Sequence, residues 1–207
     1  DLHVTIDCSN VGQLVHLVGG PFARGTKKEA PRGRVHGVDV VVARPFAGAY
    51  YLDEKHRFGG NRTAVEQHYA GYFRSEHQLL TRANSIHLPR LYGGCWHKHG
   101  ATLNGTMLVE EFLRGFIDAA SDSNVNWKQR LRIAANTLRV LSLLDAFPVG
   151  SDGHVLPSVY GDLFAKQFAL DAAYNVKFVD VHSFLPYSGR GFGAEQKCAN
   201  DADCHAF

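Results

Sequence analysis

The chain has 207 residues, of which 22 are basic and 20 acidic, so its formal net charge is +2 when histidine is neutral. This length predicts one domain or two lobes sharing an interface, and the 45% hydrophobic content is typical of a globular protein. The balanced charge offers no basic face for nucleic acid, and no apolar run approaches the roughly 18 residues that span a bilayer. We therefore expect neither a nucleic-acid partner nor a membrane span.

The first half of the chain predicts β-structure with one helix. Residues 11–20 alternate and end in two glycines, which indicates a strand running into a turn, whereas residues 22–34 are basic and rich in Gly and Pro. Residues 38–43 (VDVVVA) are the strongest strand, because β-branched side chains favour one. Residues 47–62 are polar and Gly-rich and predict a long connection. Residues 64–83 have helical spacing.

The second half predicts a long helix between short strands. The helix runs from Trp127 to Phe147, with an apolar stripe on one side, Asn126 as its N-cap and Pro148 after its end. Strand patterns lie before and after it, at residues 87–92, 107–109, 167–170 and 176–179.

Cysteines and glycosylation sequons favour the secretory pathway. None of the four cysteines forms a C-x-x-C, so zinc-ribbon and thioredoxin-type sites lack their spacing. Cys198 and Cys204 bracket a short loop that a disulfide could close, although four free thiols and all three pairings stay open. Sequons at Asn61 and Asn104 lie in polar, Gly-containing stretches typical of surface loops. We expect a glycoprotein of the ER or Golgi lumen or the extracellular space.

Two aspartates after the long helix have the spacing of a phosphoryl-transfer site. A protein-kinase-type site needs an Asp that accepts the hydroxyl proton, an amide five positions later, and a second Asp for Mg²⁺. Asp162 has Gln167 five residues on, where the pattern H-R-D-L-x-x-x-N has Asn, and Asp180 follows the predicted hairpin. Both carboxylates come at the ends of connecting segments, where they can face one cleft.

The first half carries candidates for nucleotide binding in the matching order. Such a site also needs a Gly-rich turn over the phosphates and a strand cation held by a helix carboxylate. Gly19 and Gly20 are the candidate turn, Arg44 is the strand cation, and Glu76 is the helix carboxylate. Glu111 lies in LVEEFL, which resembles a strand feeding an adenine-binding hinge. Each residue also has an ordinary explanation as a turn, capping or surface residue, so the order of the parts carries the hypothesis.

The chain resembles the divergent secretory-pathway protein kinases, the group that contains the vertebrate lonesome kinase and the divergent kinase-domain proteins. The resemblance runs from about residue 15 to the end, and it is carried by residues 91–95 (LYGGC), 127–131 (WKQRL), 158–170 and 198–204. It implies an α+β, protein-kinase-like fold. Residues 1–110 would be a β-rich N-lobe, and residues 111–207 a hinge and the beginning of an α-rich C-lobe with the cysteine loop.

The resemblance also implies an activity. Asp162 would be the catalytic Asp, Gln167 and Asp180 the metal-binding residues, and Glu76 the helix Glu that holds Arg44. The expected reaction is ATP-dependent phosphorylation of hydroxyl side chains, tyrosine included, on secreted or lumenal proteins. ATP and Mg²⁺ or Mn²⁺ are the expected cofactors.

The chain departs from the protein-kinase pattern at three points, of which the first and the third motivate an alternative function. Arg44 replaces a Lys, and a planar guanidinium is not equivalent to an ammonium. The metal motif reads Asp180-Val181-His182, without the glycine of Asp-Phe-Gly. The chain also ends soon after Asp180, so we expect a truncated C-lobe. The runner-up function is therefore a pseudokinase that binds nucleotide or protein without efficient transfer, and a third is a lumenal domain of unrelated fold.

Overall fold

The computed structural model describes residues 5–25, 27–83, 85–96, 105–115, 122–144, 158–160, 165–179 and 184–186. The fold is α+β, with a five-stranded antiparallel sheet formed by the first half of the chain and a long helix after it. This arrangement is compatible with the expected β-rich N-lobe. Within the described segments, no helix has the length and apolar character needed to cross a membrane.

The sheet has the strand order β1-β2-β3-β5-β4. Strands β3 and β5 contain the two segments whose composition most strongly predicts a strand, and β3 is central because it pairs with both β2 and β5. The five strands are β1 (His16–Arg24), β2 (Lys28–Val35), β3 (Val38–Pro45), β4 (Leu91–Cys95) and β5 (Met107–Glu111).

Four segments differ from the sequence prediction. The strand predicted at residues 87–92 lies instead at Leu91–Cys95, and residues 11–14 form a short helix, α1 (Val11–Leu14), rather than the start of a strand. Residues 28–35 form β2 although they read KEAPRGRV, because pairing with β1 and β3 on both sides overrides a weak strand propensity. The predicted long connection is instead α2 (Ala47–Leu52), which continues as a π-helix over Asp53–Arg57.

The two long helices confirm the prediction from periodicity. Helix α3 (Arg62–Ala83) begins after Asn61, whose Oδ1 accepts a hydrogen bond from the backbone N–H of Ala64 at 3.1 Å. Helix α4 (Trp127–Leu144) begins with a reciprocal cap, in which the side chains of Asn126 and Gln129 each accept from the other's backbone N–H.

The sheet is covered on both faces. On the helix-covered face, Ala43 and Leu108 are buried in a cluster with Val65, Tyr69 and Phe73 of α3. On the other face, Val35, Val40, Val42 and Val109 are buried against Ile6. We call this second face the strap face, because residues 5–15 lie across it. Burial on both faces explains why β3 reads as a continuous apolar run.

The strap is attached to β4 by hydrogen bonds and by a disulfide. Ile6 donates to the Tyr92 carbonyl and accepts from the Gly94 N–H, each at 3.0 Å. Gly93 has φ of +138°, and a Cβ at this position would lie 2.0 Å from the Ile6 carbonyl oxygen. Cys8 and Cys95 form a disulfide next to this contact. The LYGGC segment is therefore the docking site of the strap.

The second half of the chain forms a separate core beside the sheet. Strands β6 (Arg114–Gly115), β8 (Phe168–Leu170) and β9 (Val176–Phe178) form one small sheet, and β7 (Ser158–Tyr160) pairs with β10 (Phe184–Pro186). The predicted hairpin at 167–179 is present. Helix α4 packs against it in a cluster that contains Leu80, Leu88, Val125, Ile133, Val140, Phe168, Leu170, Val176 and Phe178.

Candidate functional site

A buried ion pair joins the start of β2 to the middle of α3. The Lys28 ammonium donates to Oε1 of Glu76 at 2.6 Å, and the two side chains are 18% and 1% exposed. The other oxygen of the carboxylate, Oε2, has no hydrogen-bond partner in the described structure. Among the described residues, Lys28 is thus the cation that neutralises Glu76.

Helix α3 places Glu76 in the interior because it occupies a position on the buried stripe. Its buried residues recur every three or four positions, at Val65, Tyr69, Phe73, Glu76 and Leu80. A carboxylate in such a stripe needs a partner, since an isolated buried charge is strongly unfavourable. This position is the sequence signal that Glu76 is paired.

The prediction that Glu76 holds Arg44 is wrong. Arg44 donates through Nε and Nη2 to Oε1 of Glu29, both at 2.8 Å. Arg24 of β1 lies 3.7 Å from the other oxygen of Glu29, so the carboxylate is flanked by two guanidinium groups. Residues 24, 29 and 44 are cross-strand partners on three adjacent strands.

Strand alternation explains the two pairings. Successive side chains of a strand point to opposite faces, and directly paired residues share a face. Arg44 is two residues from Val42, which is buried on the strap face, and it pairs with Glu29. Lys28 pairs with Pro45, which is two residues from Ala43 on the helix-covered face. Lys28 therefore faces the helix that carries Glu76, and Arg44 faces away from it.

Gly19 and Gly20 lie within β1 rather than in a turn after it. The register between β1 and β2 shifts between Leu17 and Pro21, which makes the two glycines part of a bulge, and Gly19 has φ of +78°. The hairpin closes later, where the Gly25 N–H donates to the Lys28 carbonyl at 2.8 Å. The closing residue of this hairpin is thus the residue that pairs with Glu76.

Glu111 lies at the end of β5, where a two-residue segment leads to β6. Its Oε2 accepts from the Lys177 ammonium of β9 at 2.6 Å and from the Arg90 backbone N–H at 3.1 Å. The Glu111 side chain consequently links the sheet to the C-terminal hairpin.

Of the three predicted catalytic and metal-binding residues, Gln167 is the one that the structure describes, and it lies at the C-terminal hairpin. Gln167 is buried at 2% exposure and ends a short 3-10 helix. Its carbonyl accepts from the N–H of Val179 at 2.8 Å, so Gln167 is bonded to the residue that precedes Asp180. Asp162 and Asp180 themselves lie outside the described residues, as do Cys198, Cys204 and Asn104. The described residues contain no group of three or more His, Cys, Asp or Glu that could hold a metal.

A second polar cluster lies two helical turns before Glu76. Nε2 of His68 lies 3.2 Å from the Lys27 ammonium and 3.4 Å from Nη1 of Arg57. Burial first, and then the charges of Lys27 and Arg57, lower the pKa of His68. A neutral ring can accept from both cations. On the next residue, burial followed by the charge of Asp53 raises the pKa of Tyr69, whose hydroxyl donates to that carboxylate at 3.1 Å.

Lys28 is the site residue that sequence reasoning missed. Residues 28–35 (KEAPRGRV) contain a proline and a glycine among charged residues and carry no strand signal. The face of the sheet to which the Lys28 side chain points was therefore not predictable. The sequence indicated Lys28 only indirectly. Glu76 was expected to pair with a cation of the sheet, and Arg44 was chosen because it ends the strand predicted at residues 38–43.

No protein-family model matches the chain. The curated proteins contain no match either.

Proposed function

We propose that the protein transfers the γ-phosphate of ATP to hydroxyl side chains of secreted or lumenal proteins. The observation that carries this proposal is the buried Lys28–Glu76 ion pair between the sheet and α3. A strand lysine held by a helix glutamate is the arrangement with which protein kinases position the phosphates of their nucleotide.

The surrounding architecture supports the same function. The ion pair lies beside a glycine-containing β-hairpin, and the sheet leads through residues 112–113 into the second core. A cleft between a β-rich part and a helical part is a common place for ligand binding. Phe22 of the hairpin strand contacts Phe112 of the connecting segment, with ring centroids 5.7 Å apart. The hairpin and the predicted hinge are thus neighbours.

In this proposal Asp162 accepts the proton of the attacking hydroxyl and orients its oxygen. Asp180 and Gln167 supply the oxygen ligands of the metal. The donor set fits a hard divalent cation, because carboxylate and amide oxygens are the ligands that Mg²⁺ and Mn²⁺ prefer. When bound, the metal would offset the charge of the phosphates.

The secretory location rests on two structural features. The Cys8–Cys95 disulfide is stable in an oxidising compartment and rare in the cytosol. Asn61 of the first sequon is exposed at the start of α3, where a glycan has access to solvent. These features are weakly compatible with a secreted or lumenal protein, and the ER or Golgi lumen is part of the proposal.

A pseudokinase is the second candidate function. The observation that favours it is the engagement of Arg44 with Glu29 on the strap face, which removes the strand-three cation from the helix-covered face. A protein of this kind would bind nucleotide or a protein partner without efficient transfer.

The test combines nucleotide binding and turnover. The melting temperature of the chain should rise with ATP concentration when Mg²⁺ or Mn²⁺ is present, since a ligand that binds only the folded state stabilises it. Asp180→Ala should abolish the metal-dependent rise, whereas Asp203→Ala, at a carboxylate to which the proposal assigns no role, should preserve it.

Turnover separates the two candidates. Incorporation of γ-phosphate into a mixture of secreted proteins that disappears in Asp162→Ala supports the kinase. Metal-dependent binding without Asp162-dependent incorporation supports the pseudokinase. A chain that shows neither binding nor incorporation contradicts the kinase and the nucleotide-binding pseudokinase, and leaves only a scaffold that binds a protein partner.

A further inference from the structure

We propose that Lys28 of β2, and not Arg44 of β3, is the cation that contacts the nucleotide phosphates. This inference rests on the proposed function and names the binding residue within that site. The order of elements along the chain would give the phosphate-binding cation to β3, whereas this inference gives it to the neighbouring strand β2.

The register places Lys28 where a strand-three cation would need to be. Pro45 of β3 shares the helix-covered face with Ala43 and stands directly opposite Lys28. A lysine at either of these two paired positions would project from nearly the same place on the sheet. Position 45 holds a proline, which carries no charge, and position 28 supplies the ammonium.

Arg44 cannot take this role from its observed position. Its guanidinium is bound to Glu29 on the strap face, and that carboxylate is only 11% exposed. Turning the side chain to the helix-covered face would require a one-residue slip of β3, which would move every side chain of this buried strand to the wrong face. Arg24 and Arg44 are therefore structural partners of Glu29.

The chemistry of the ammonium suits the proposed role. A lysine carries three donors, so it can bind a helix carboxylate and a phosphate oxygen together. Glu76 fixes the direction of the Lys28 side chain, because it is buried at 0% exposure on a helix packed against the sheet. The hydrogen bond from the Gly25 N–H to the Lys28 carbonyl also places Lys28 at the residue that closes the β1–β2 hairpin.

The experiment measures the affinity of the full chain for Mg·ATP by calorimetry in four variants. Lys28→Met should weaken binding by about tenfold or more, as expected when a desolvated charge contact is lost. Arg44→Met should stay within about threefold of the unsubstituted chain. Lys28→Met combined with Glu76→Gln removes both charges, so a folded protein is available even where the single variant is unstable, and this variant should bind as weakly as Lys28→Met.

The fourth variant tests whether an ammonium group on the helix-covered face is sufficient for binding, whichever strand carries it. Lys28→Met combined with Pro45→Lys returns an ammonium to the same face from β3 and should recover part of the lost affinity. A purely structural role for Lys28 would show as lost stability without this recovery. Full affinity in the Lys28 variants, or a loss confined to Arg44→Met, would overturn the inference and remove the ion pair as support for the proposed function, although Asp162-dependent turnover would still establish that function independently. Absence of ATP binding in the unsubstituted chain would overturn the proposed function, and this inference with it.

Discussion

Each face of the five-stranded sheet carries a glutamate paired with basic residues, but the exposure of those residues to solvent differs between the two faces. On the helix-covered face, Lys28 meets a carboxylate that is 1% exposed and lies within the apolar stripe of α3. On the strap face, Glu29 lies between Arg24 and Arg44, whose side chains are 55% and 31% exposed. Both glutamates are largely buried, since the Glu29 side chain is only 11% exposed, but the two guanidinium groups beside Glu29 reach solvent more than Lys28 does at 18% exposure.

The two clusters therefore differ in the exposure of their cations. A cation that reaches solvent is held loosely and adds little to stability, whereas an enclosed ion pair tolerates few other arrangements. Sequence order alone gave Arg44 and Glu76 matching roles. The burial of Glu76 and the alternation of side chains along β2 and β3 show that Lys28 is the residue that pairs with Glu76.

The largest expected effect is loss of the disulfide that holds the strap. The replacement of both Cys8 and Cys95 by serine should lower the free energy of unfolding by about 4 kcal/mol, since this cross-link closes a long loop in the unfolded chain. Urea denaturation of the two proteins measures the change. A difference below about 1 kcal/mol would mean that the strap is held by its other contacts.

The next effect concerns the helix-covered face. Glu76→Ala should destabilise the protein by about 3 to 5 kcal/mol, because it removes one partner of a buried pair. Glu29→Ala on the strap face is the matched comparison and should cost less, about 1 to 2 kcal/mol, because the two guanidinium groups that it leaves unpaired are partly exposed to solvent. The comparison can be sharpened with Lys28→Met/Glu76→Leu, which should be more stable than Glu76→Ala in the same denaturation assay. Equal costs on the two faces would contradict the distinction between them.

A smaller effect is expected at the docking site of the strap. Gly93→Ala should cost roughly 2 kcal/mol, because a side chain at its positive φ is strained and its Cβ would overlap the Ile6 carbonyl. Gly71→Ala, at an exposed position of α3 where a Cβ meets no atom within 4 Å, should stabilise by about 0.5 to 1 kcal/mol. Thermal unfolding of both variants measures whether stability falls in Gly93→Ala and rises in Gly71→Ala. An unchanged stability in Gly93→Ala would show that the strap can shift.

The smallest effect is a pH dependence on the helix-covered face. The folded protein keeps His68 neutral with a lowered pKa, while the unfolded chain binds a proton near its ordinary pKa of about 6.5. The contribution of His68 to stability is therefore complete above that value and is lost as pH falls below it. Unfolding free energies measured from pH 7.5 to 5 should fall less steeply in His68→Gln than in the unsubstituted chain. Parallel slopes would exclude His68 as a contributor.

The sequence by itself determined the elements whose pattern is local. Helices α3 and α4 follow from a period of 3.6 residues and from caps at Asn61 and Asn126 that hydrogen-bond within a few residues. Strand β3 follows from its run of β-branched residues. The sequence also indicated that Glu76 of α3 holds a cation of the sheet, and this expectation came from the order of the parts along the chain.

Only the tertiary structure decided which residue that partner is. Strand β3 is apolar on both faces, so its sequence shows no alternation from which the direction of Arg44 could be deduced. Strand β2 exists because β1 and β3 pair with it, and its own residues do not predict a strand. The side that Lys28 faces depends on register across three strands. That register is set by contacts between residues far apart in the chain, which no local pattern records.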